Sequence, residues 1–184
     1  MACGYSDLTA NIQLCGSQRA VKGLDDKCWI ANVGNLVFTF SDNMITNITK
    51  VATKRAFVVD SLKDQTNVGF DGVISDTNVT GYKNSLTLIA NAKTAATKLQ
   101  FDTIDNIVAI VKKNGAETEG CFVALGVKFG LWKTSDAQKA NDNNAQRTIE
   151  LASRDGIEEA YSEYVVWKTD YATTLAMLIA LETV

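Results

Sequence analysis

The sequence contains neither histidine nor proline among its 184 residues. Without histidine the chain cannot build a Ser-His-Asp triad, a Cys-His pair or an HExxH zinc site. Because these common reaction centres are excluded, we expect that the protein is not an enzyme. The lack of proline removes a common device for protecting exposed strand edges, so we expect edges that are open to pairing with other subunits. Chance alone would also account for a composition without proline.

The sequence also lacks any excess of basic residues. It has 18 Lys and Arg against 21 Asp and Glu, for a net charge of −3, and its longest basic clusters are the pairs Lys54-Arg55 and Lys112-Lys113. A protein that binds nucleic acid through its phosphates needs a basic surface. The sequence therefore predicts no specific nucleic-acid binding. Its 46% hydrophobic content is ordinary for one globular domain with a sizeable core.

The cysteine pattern argues against metal binding. The four cysteines, Cys3, Cys15, Cys28 and Cys121, form no C-x-x-C pair, which is the spacing typical of structural zinc sites. No apolar signal segment precedes residue 20, so we expect reduced thiols in a protein made in the cytoplasm. We expect neither a metal nor a cofactor.

The segment from Ile107 to Trp132 gives the strongest structural signal. Two apolar runs, Ile107 to Val111 and Cys121 to Leu125, flank turn chemistry at Asn114-Gly115. Short apolar runs joined by such a turn predict a β-hairpin. Gly126 and Gly130 then predict bends that fit the strands into a curved wall.

Shorter strand signals recur along the chain. The first two are predicted to form a hairpin through residues 33–35, with Phe38 and Phe40 on one face. Residues 60–83 are polar and contain several glycines, which predicts a long protruding hairpin or, alternatively, a mobile loop. Residues 134–146 are predicted to be a loop. Strands are predicted at 27–31, 36–40, 44–51, 55–59, 85–90, 147–152 and 160–167.

One helix is predicted, over residues 92–108, where apolar residues recur with helical spacing. Together these elements predict a mainly β fold in a single domain, 1–184. We expect a β-sandwich or barrel of antiparallel strands with a single flanking α-helix.

Two features near the C-terminus have alternative interpretations. Residues 171–184 are strongly apolar but shorter than the roughly 20 residues that span a bilayer, so no membrane contact is predicted. They are either buried as a final strand or helix, or they form an apolar arm that lies across a neighbouring subunit. Four carboxylates before them suggest a solvent-facing or interface role rather than cation binding or acid–base chemistry: Asp155, Glu158, Glu159 and Glu163.

The order of these segments resembles that of tail tube and other virion structural proteins of tailed phages that infect Bacteroidetes. The resemblance rests on element order and on short motifs along most of the chain: Ile12 to Cys15, Gly23, Trp29 to Asn32, Asp42 to Ile48, strand 84–90, the single helix, the hairpin 107–132 with Leu125-Gly126 and Phe129-Gly130-Leu131, and strand 147–152. It implies a virion protein whose rings, commonly hexameric, stack into a tube through which DNA passes as cargo.

The resemblance implies interfaces with other copies of the chain and with other virion proteins. The candidates for ring stacking lie in 60–83, and those for lateral clasping lie in 171–184. These residues are Val68, Phe70, Val73 and Ile74, and Tyr171, Leu175, Met177, Leu178 and Leu181. The four carboxylates are candidates for an acidic lumen that repels DNA. The alternatives are a capsid-decorating or connector-ring protein, or a monomeric ligand-binding or enzymatic β-domain whose site is the acidic patch.

Overall fold

The structure is a computed structural model that describes residues 23–60, 66–75, 78–139, 141 and 146–183. Cys3, Cys15 and the predicted segment Ile12 to Cys15 lie outside these residues. The strands are β1 (Leu24–Asn32), β2 (Leu36–Ser41), β3 (Met44–Lys50), β4 (Phe57–Asp60), β5 (Asn67–Ser75), β6 (Asn78–Ala90), β7 (Ile107–Lys113), β8 (Phe122–Leu125), β9 (Trp132–Gln138), β10 (Arg147–Ala152) and β11 (Tyr164–Val166). The helices are α1 (Ala95–Asp102) and α2 (Tyr171–Ala180).

The strands form two sheets. Sheet A has seven strands in the order β2-β3-β11-β8-β7-β1-β4, and sheet B has four in the order β5-β6-β10-β9. All pairs are antiparallel except β11 with β3, which is parallel. The predicted mainly β, sandwich-like fold is confirmed, and neither sheet closes into a barrel.

Sheet A is the middle layer because its central strands are apolar on both faces. In β7, Ile107, Ala109 and Val111 face sheet B, whereas Val108 and Ile110 face α2. All five side chains are buried. A strand that is covered on both sides needs a continuous apolar run rather than alternation, which explains the sequence IVAIV. The predicted pairing of this run with β8 is confirmed.

Helix α2 covers the outer face of sheet A. It begins at the N-cap Asp170, whose Oδ1 accepts a 2.7 Å hydrogen bond from the Thr173 amide. Leu178 and Leu181 are buried in the same cluster as Trp29 and Phe122. The described chain therefore has two helices, and the prediction of a single flanking helix is wrong.

Helix α1 is shorter than predicted and lies at one end of the sandwich. Thr94 caps its start, and Phe101 and Ile104 insert into the core between the sheets. The helix does not reach residue 108, because Asn106 has a positive φ of 50° and Ile107 already belongs to β7. The predicted bounds of 92–108 are therefore wrong at both ends.

The predicted hairpin between the first two strands is also wrong. Strand β1 is flanked by β7 on one side and β4 on the other, so neither of its edges is free for β2. Strand β2 pairs with β3 instead, at the far edge of sheet A. Local turn signals indicated where the chain reverses, but tertiary pairing decided which strands meet.

Two further predictions fail because exposed or short strands give weak patterns. Residues 132–138, mostly predicted to be loop, form the outer strand β9, which is polar because most of it is exposed. Within the predicted strand 160–167, the three residues of β11, Tyr164–Val166, form a strand.

Gly126 and Gly130 do interrupt the extended chain, with φ of 65° and 80°. Strand β8 ends at Leu125, and Gly130 donates a 2.9 Å hydrogen bond to the carbonyl of Gly126. The turn between them carries the chain from β8 in sheet A to β9 in sheet B. The two glycines thus mark a crossing between layers rather than a bend within one strand.

Candidate functional site

The long hairpin of β5 and β6 forms one side of sheet B. Its strands pair from Asn67 opposite Thr87 to Ser75 opposite Asn78, with a bulge at Val73 and Ile74. Phe70 is 47% exposed and Ile74 is 73% exposed, whereas Val68 packs partly against the core. Of the four candidates for ring stacking, Phe70 and Ile74 therefore present the most apolar surface.

Apolar side chains are also exposed on both outer strands of sheet A. Val37 and Phe40 on β2 are 53% and 47% exposed, and Phe57 on β4 is 45% exposed. The Arg55 guanidinium lies 4.6 Å from the centre of the Phe57 ring. Outer strands leave backbone hydrogen-bonding groups unpaired, and apolar side chains on them make such edges prone to association.

The fourth edge strand, β9, carries charged side chains that form ion pairs. Its Asp136 is bound by Lys133 and Arg147, and Arg147 also donates to Asp102 of α1. Arg147 is the main cause of the lowered pKa of Asp136, because its guanidinium hydrogen-bonds both carboxylate oxygens. Charged side chains are a common protection for an edge strand. Large apolar side chains are therefore exposed on three of the four edge strands, whereas the exposed side chains of β9 are mainly polar and charged.

The C-terminal candidates for lateral clasping pack against their own chain. Met177, Leu178 and Leu181 are buried, and Tyr171 and Leu175 lie at the margin of the same cluster. The Met177 sulfur accepts a 3.2 Å hydrogen bond from the amide of Ile48. In this conformation the buried side chains have no surface left for a neighbouring subunit.

The four acidic candidates each bind different partners within the chain. Asp155 pairs with Lys83, and Glu163 pairs with Lys113. Glu158 accepts a 3.1 Å hydrogen bond from the Gly156 amide. Glu159 is only 1% exposed, so the prediction that it faces a lumen or the surface is wrong.

Glu159 is held inside by its own backbone and by a neighbouring turn. It exchanges two 2.9 Å backbone hydrogen bonds with Tyr82 of β6. Its Oε1 accepts from the amides of Lys128 and Phe129 at 2.9 and 3.1 Å. Its Oε2 is buried and has no hydrogen bond of ordinary geometry among the described residues, although the Tyr164 phenol lies close enough to interact with the carboxylate. Buried polar atoms are nearly always paired, so an unpaired carboxylate oxygen is a candidate for binding something.

The approach of this segment to β6 requires a glycine. A Cβ on Gly81 would lie 2.4 Å from the Cβ of Glu158. Asn84, which is fully buried, donates from its Nδ2 to the Ser162 carbonyl at 2.5 Å. Its Oδ1 accepts from the amide of Gly126 at 3.3 Å. Gly81 and Asn84 therefore hold the Glu159 segment and the turn after β8 against the hairpin.

An aromatic groove lies next to this segment. Its volume is about 380 Å³, and its ring-to-ring contacts run from Phe38 through Phe40 and Tyr164 to Tyr161, with centroid distances of 6.2, 5.5 and 5.4 Å. We define the aromatic groove by the seven residues that line it: Phe38, Phe40, Asp42, Val127, Lys128, Tyr161 and Tyr164.

The aromatic groove and Glu159 are neighbours through Tyr164 and Lys128. Burial raises the pKa of the Tyr164 phenol to about 12, and the negative charge of Glu159 acts in the same direction. The Lys128 amide binds the Glu159 carboxylate, while the Lys128 Nζ lies 5.1 Å from the centre of the Phe129 ring. The carboxylate therefore lies directly behind the wall of the groove.

A larger cavity of about 610 Å³ lies between α1, β1 and β4. Ile30, Phe57, Phe101 and Ile104 form much of its apolar wall. Among the described residues that line it, Asp60 is the one ionisable group. Its size falls in the range of small-molecule pockets, but its lining holds fewer charged groups than the aromatic groove.

Comparisons with known proteins give no relative: no family model, no curated protein and no solved structure matches the chain significantly. Within the described part of the chain, no three His, Cys, Asp or Glu side chains are grouped as a metal site. Neither α1 nor α2 has the length and apolar content to cross a membrane.

Sequence reasoning missed the aromatic groove as a site. Its rings come from β2 and from residues 161–164, more than a hundred positions apart, and only the fold brings them together. The shared face of Phe38 and Phe40 was the one signal present in the sequence, and their ring contact confirms it. Nothing local indicated that Glu159 would be buried.

Proposed function

We propose that this chain is a structural subunit of a tailed-phage virion, and most specifically a tail tube subunit that forms stacked rings around a passage for DNA. The proposal rests on the resemblance in element order and on one physical observation, the exposure of large apolar side chains on three of the four edge strands. In this proposal the chain catalyses no reaction, and its partners are further copies and other virion proteins.

The two edges of sheet A suit a ring. Strands β2 and β4 lie at opposite ends of the same sheet, so pairing β4 of one copy with β2 of the next is a head-to-tail contact. Repeated head-to-tail contacts close into rings when the rotation per copy allows it. Burying Val37 and Phe57 in such contacts would remove apolar surface from water.

The long β5–β6 hairpin would then serve stacking between rings. Phe70 and Ile74 are exposed on it, and Ile74 lies next to the bulge where the hairpin departs from regular pairing. The net charge of −3 would keep DNA phosphates from adhering as they pass, although salt screens this repulsion over roughly 10 Å.

The test compares association of the purified chain with that of two edge variants. We expect the wild type to form species heavier than its 19.9 kDa monomer in light scattering, and rings or tubes in negative-stain images of concentrated protein. Phe57→Lys places a charge on the apolar β4 edge and should prevent assembly. Ser135→Lys adds the same charge to an exposed position on β9 and should not.

Two outcomes would contradict the proposal. One is a wild-type chain that remains monomeric and forms no rings at any concentration tested. The other is equal loss of assembly in both variants, because a general effect of added charge would then explain the result. A chain that forms no rings but binds to expanded phage heads would support the decoration alternative instead.

A further inference from the structure

The aromatic groove has three properties that belong together. Four aromatic side chains form a continuous row, and Phe40 and Tyr161 in that row are 47% and 40% exposed. A buried carboxylate, Glu159, lies behind the row, next to the Tyr164 phenol, and its Oε2 has no hydrogen bond of ordinary geometry among the described residues. A second carboxylate, Asp42, lines the groove. We infer that the aromatic groove is a binding site for a small alkylammonium ligand, a cation with an apolar body.

The aromatic rings of the groove are suited to binding a cation. The face of an aromatic ring attracts cations, and binding sites for quaternary ammonium groups are commonly built from several such rings. Phe40 and Tyr164 contact each other at 5.5 Å with an interplanar angle of 56°, and Tyr161 and Tyr164 meet nearly perpendicularly at 79°. The groove that these rings line is a concavity of about 380 Å³.

The carboxylates at and behind the groove also favour a positively charged ligand. The Glu159 carboxylate is buried beside the Tyr164 phenol, and its Oε2 lacks a hydrogen bond of ordinary geometry in surroundings where an unpaired polar atom is unfavourable. A cation in the groove would interact with that carboxylate through a short distance of protein rather than through water, where its attraction is stronger. Asp42 adds negative charge at the groove itself.

Size and the neighbouring cation define the ligand further. A volume of about 380 Å³ is near the lower end for small-molecule pockets, which favours a trimethylammonium head group over a nucleotide. Lys128 is the one basic residue that lines the groove, and its Nζ is placed near the Phe129 ring. Removing this charge with Lys128→Gln should therefore strengthen binding of a cation.

The decisive experiment compares two ligands of the same shape, one cationic and one neutral. Choline and its neutral carbon isostere, in which a tert-butyl group replaces the trimethylammonium group, are titrated separately into the full chain by calorimetry or by NMR. We expect choline to bind in the millimolar range and the isostere to bind at least about tenfold more weakly. Equal binding of the two ligands, or no binding of choline, would overturn the inference.

Two aromatic variants locate the site. Phe40→Leu removes a ring from the groove, and Phe70→Leu removes an equally exposed ring from the β5–β6 hairpin, where it contacts Tyr82. Phe40→Leu should weaken choline binding at least about threefold, and Phe70→Leu should leave it unchanged. Equal effects of the two substitutions would place the binding elsewhere and refute the assignment.

Glu159→Gln tests the buried charge while keeping the side-chain shape. We expect about tenfold weaker choline binding and no change for the neutral isostere. Thermal unfolding of the variant checks that it is folded, and Phe40→Leu provides the test if it is not. A Glu159→Gln variant that is folded and binds choline as the wild type does would contradict the role of this carboxylate. Loss of self-association in Phe40→Leu without any choline binding by the wild type would assign the groove to contacts between subunits and refute the small-ligand site.

Discussion

The indole Nε1 of Trp29 donates a 2.9 Å hydrogen bond to Oε1 of Glu182, across 153 positions of sequence. Trp29 lies on β1 of sheet A, and Glu182 lies two residues beyond the end of α2. The Ala56 amide donates a 2.9 Å hydrogen bond to the Leu181 carbonyl close by. These bonds fix residues 181–182 to the outer face of sheet A, so α2 and the residues just after it are an integral layer of the fold.

The first prediction concerns this layer. Leu178→Ala removes a fully buried side chain that packs against sheet A, and should reduce the free energy of unfolding by about 2 to 5 kcal/mol. Ile179→Ala changes the next residue of the same helix, which is 48% exposed, and should cost much less. Urea unfolding followed by circular dichroism measures both values. Equal costs would mean that α2 does not cover sheet A as described.

The second prediction concerns the crossing between the sheets. A Cβ on Gly130 would lie 1.9 Å from Oδ1 of Asn106 and 2.7 Å from Cγ2 of Val33. Gly156 has a similar φ, 77° against 80°, but a Cβ added there would meet nothing within 4 Å. Gly156→Ala should therefore cost roughly 1–2 kcal/mol for the left-handed backbone alone, and Gly130→Ala clearly more. Thermal unfolding compares the two, and similar losses would exclude the steric explanation.

The third prediction concerns cysteine reactivity. Burial raises the pKa of the Cys28 thiol to about 12, and it also raises the pKa of Cys121. Cys28 faces sheet B and Cys121 faces α2, so these two thiols lie on opposite faces of sheet A. Because thiolate is the reactive form, Cys28 should resist iodoacetamide at about pH 8 in the native protein and react once the protein is unfolded in guanidinium. Peptide mass mapping gives the readout, and fast labelling of Cys28 in the native protein would contradict this burial.

Particular residues show why the fold class was predictable and the site was not. The run from Ile107 to Val111 is apolar at every position because both of its faces are covered, and that signal is local. Strand β9 is polar on exposed faces and looks like a loop in sequence. Glu159 is buried because the Tyr82 backbone and the Lys128 and Phe129 amides, all distant in sequence, bind it. Contacts between residues so far apart in sequence produce no periodic pattern that could be detected in a single sequence.

The last prediction concerns stability in acid. Arg147 binds both carboxylate oxygens of Asp136 at 2.6–2.7 Å, and this pairing lowers the Asp136 pKa. A carboxylate with a lowered pKa in the folded state contributes stability that is present above its ordinary value of about 3.9 and is lost as the pH falls through the lowered one. Asp136→Asn should therefore reduce stability at neutral pH by about 1–2 kcal/mol and flatten its dependence on pH between roughly pH 5 and 2.

The matched control for that prediction is Asp155→Asn. Lys83 lowers the pKa of Asp155 as well, but the Asp155 side chain is 95% exposed and solvent screens its pairing. Denaturant unfolding at a series of pH values should therefore give the same profile for Asp155→Asn as for the wild type. Asp136, by contrast, joins β9 to Arg147 of β10, which also donates to Asp102 of α1, so its loss loosens contacts among three elements. Indistinguishable acid profiles for Asp136→Asn and the wild type would show that this network does not stabilise the polar edge of sheet B.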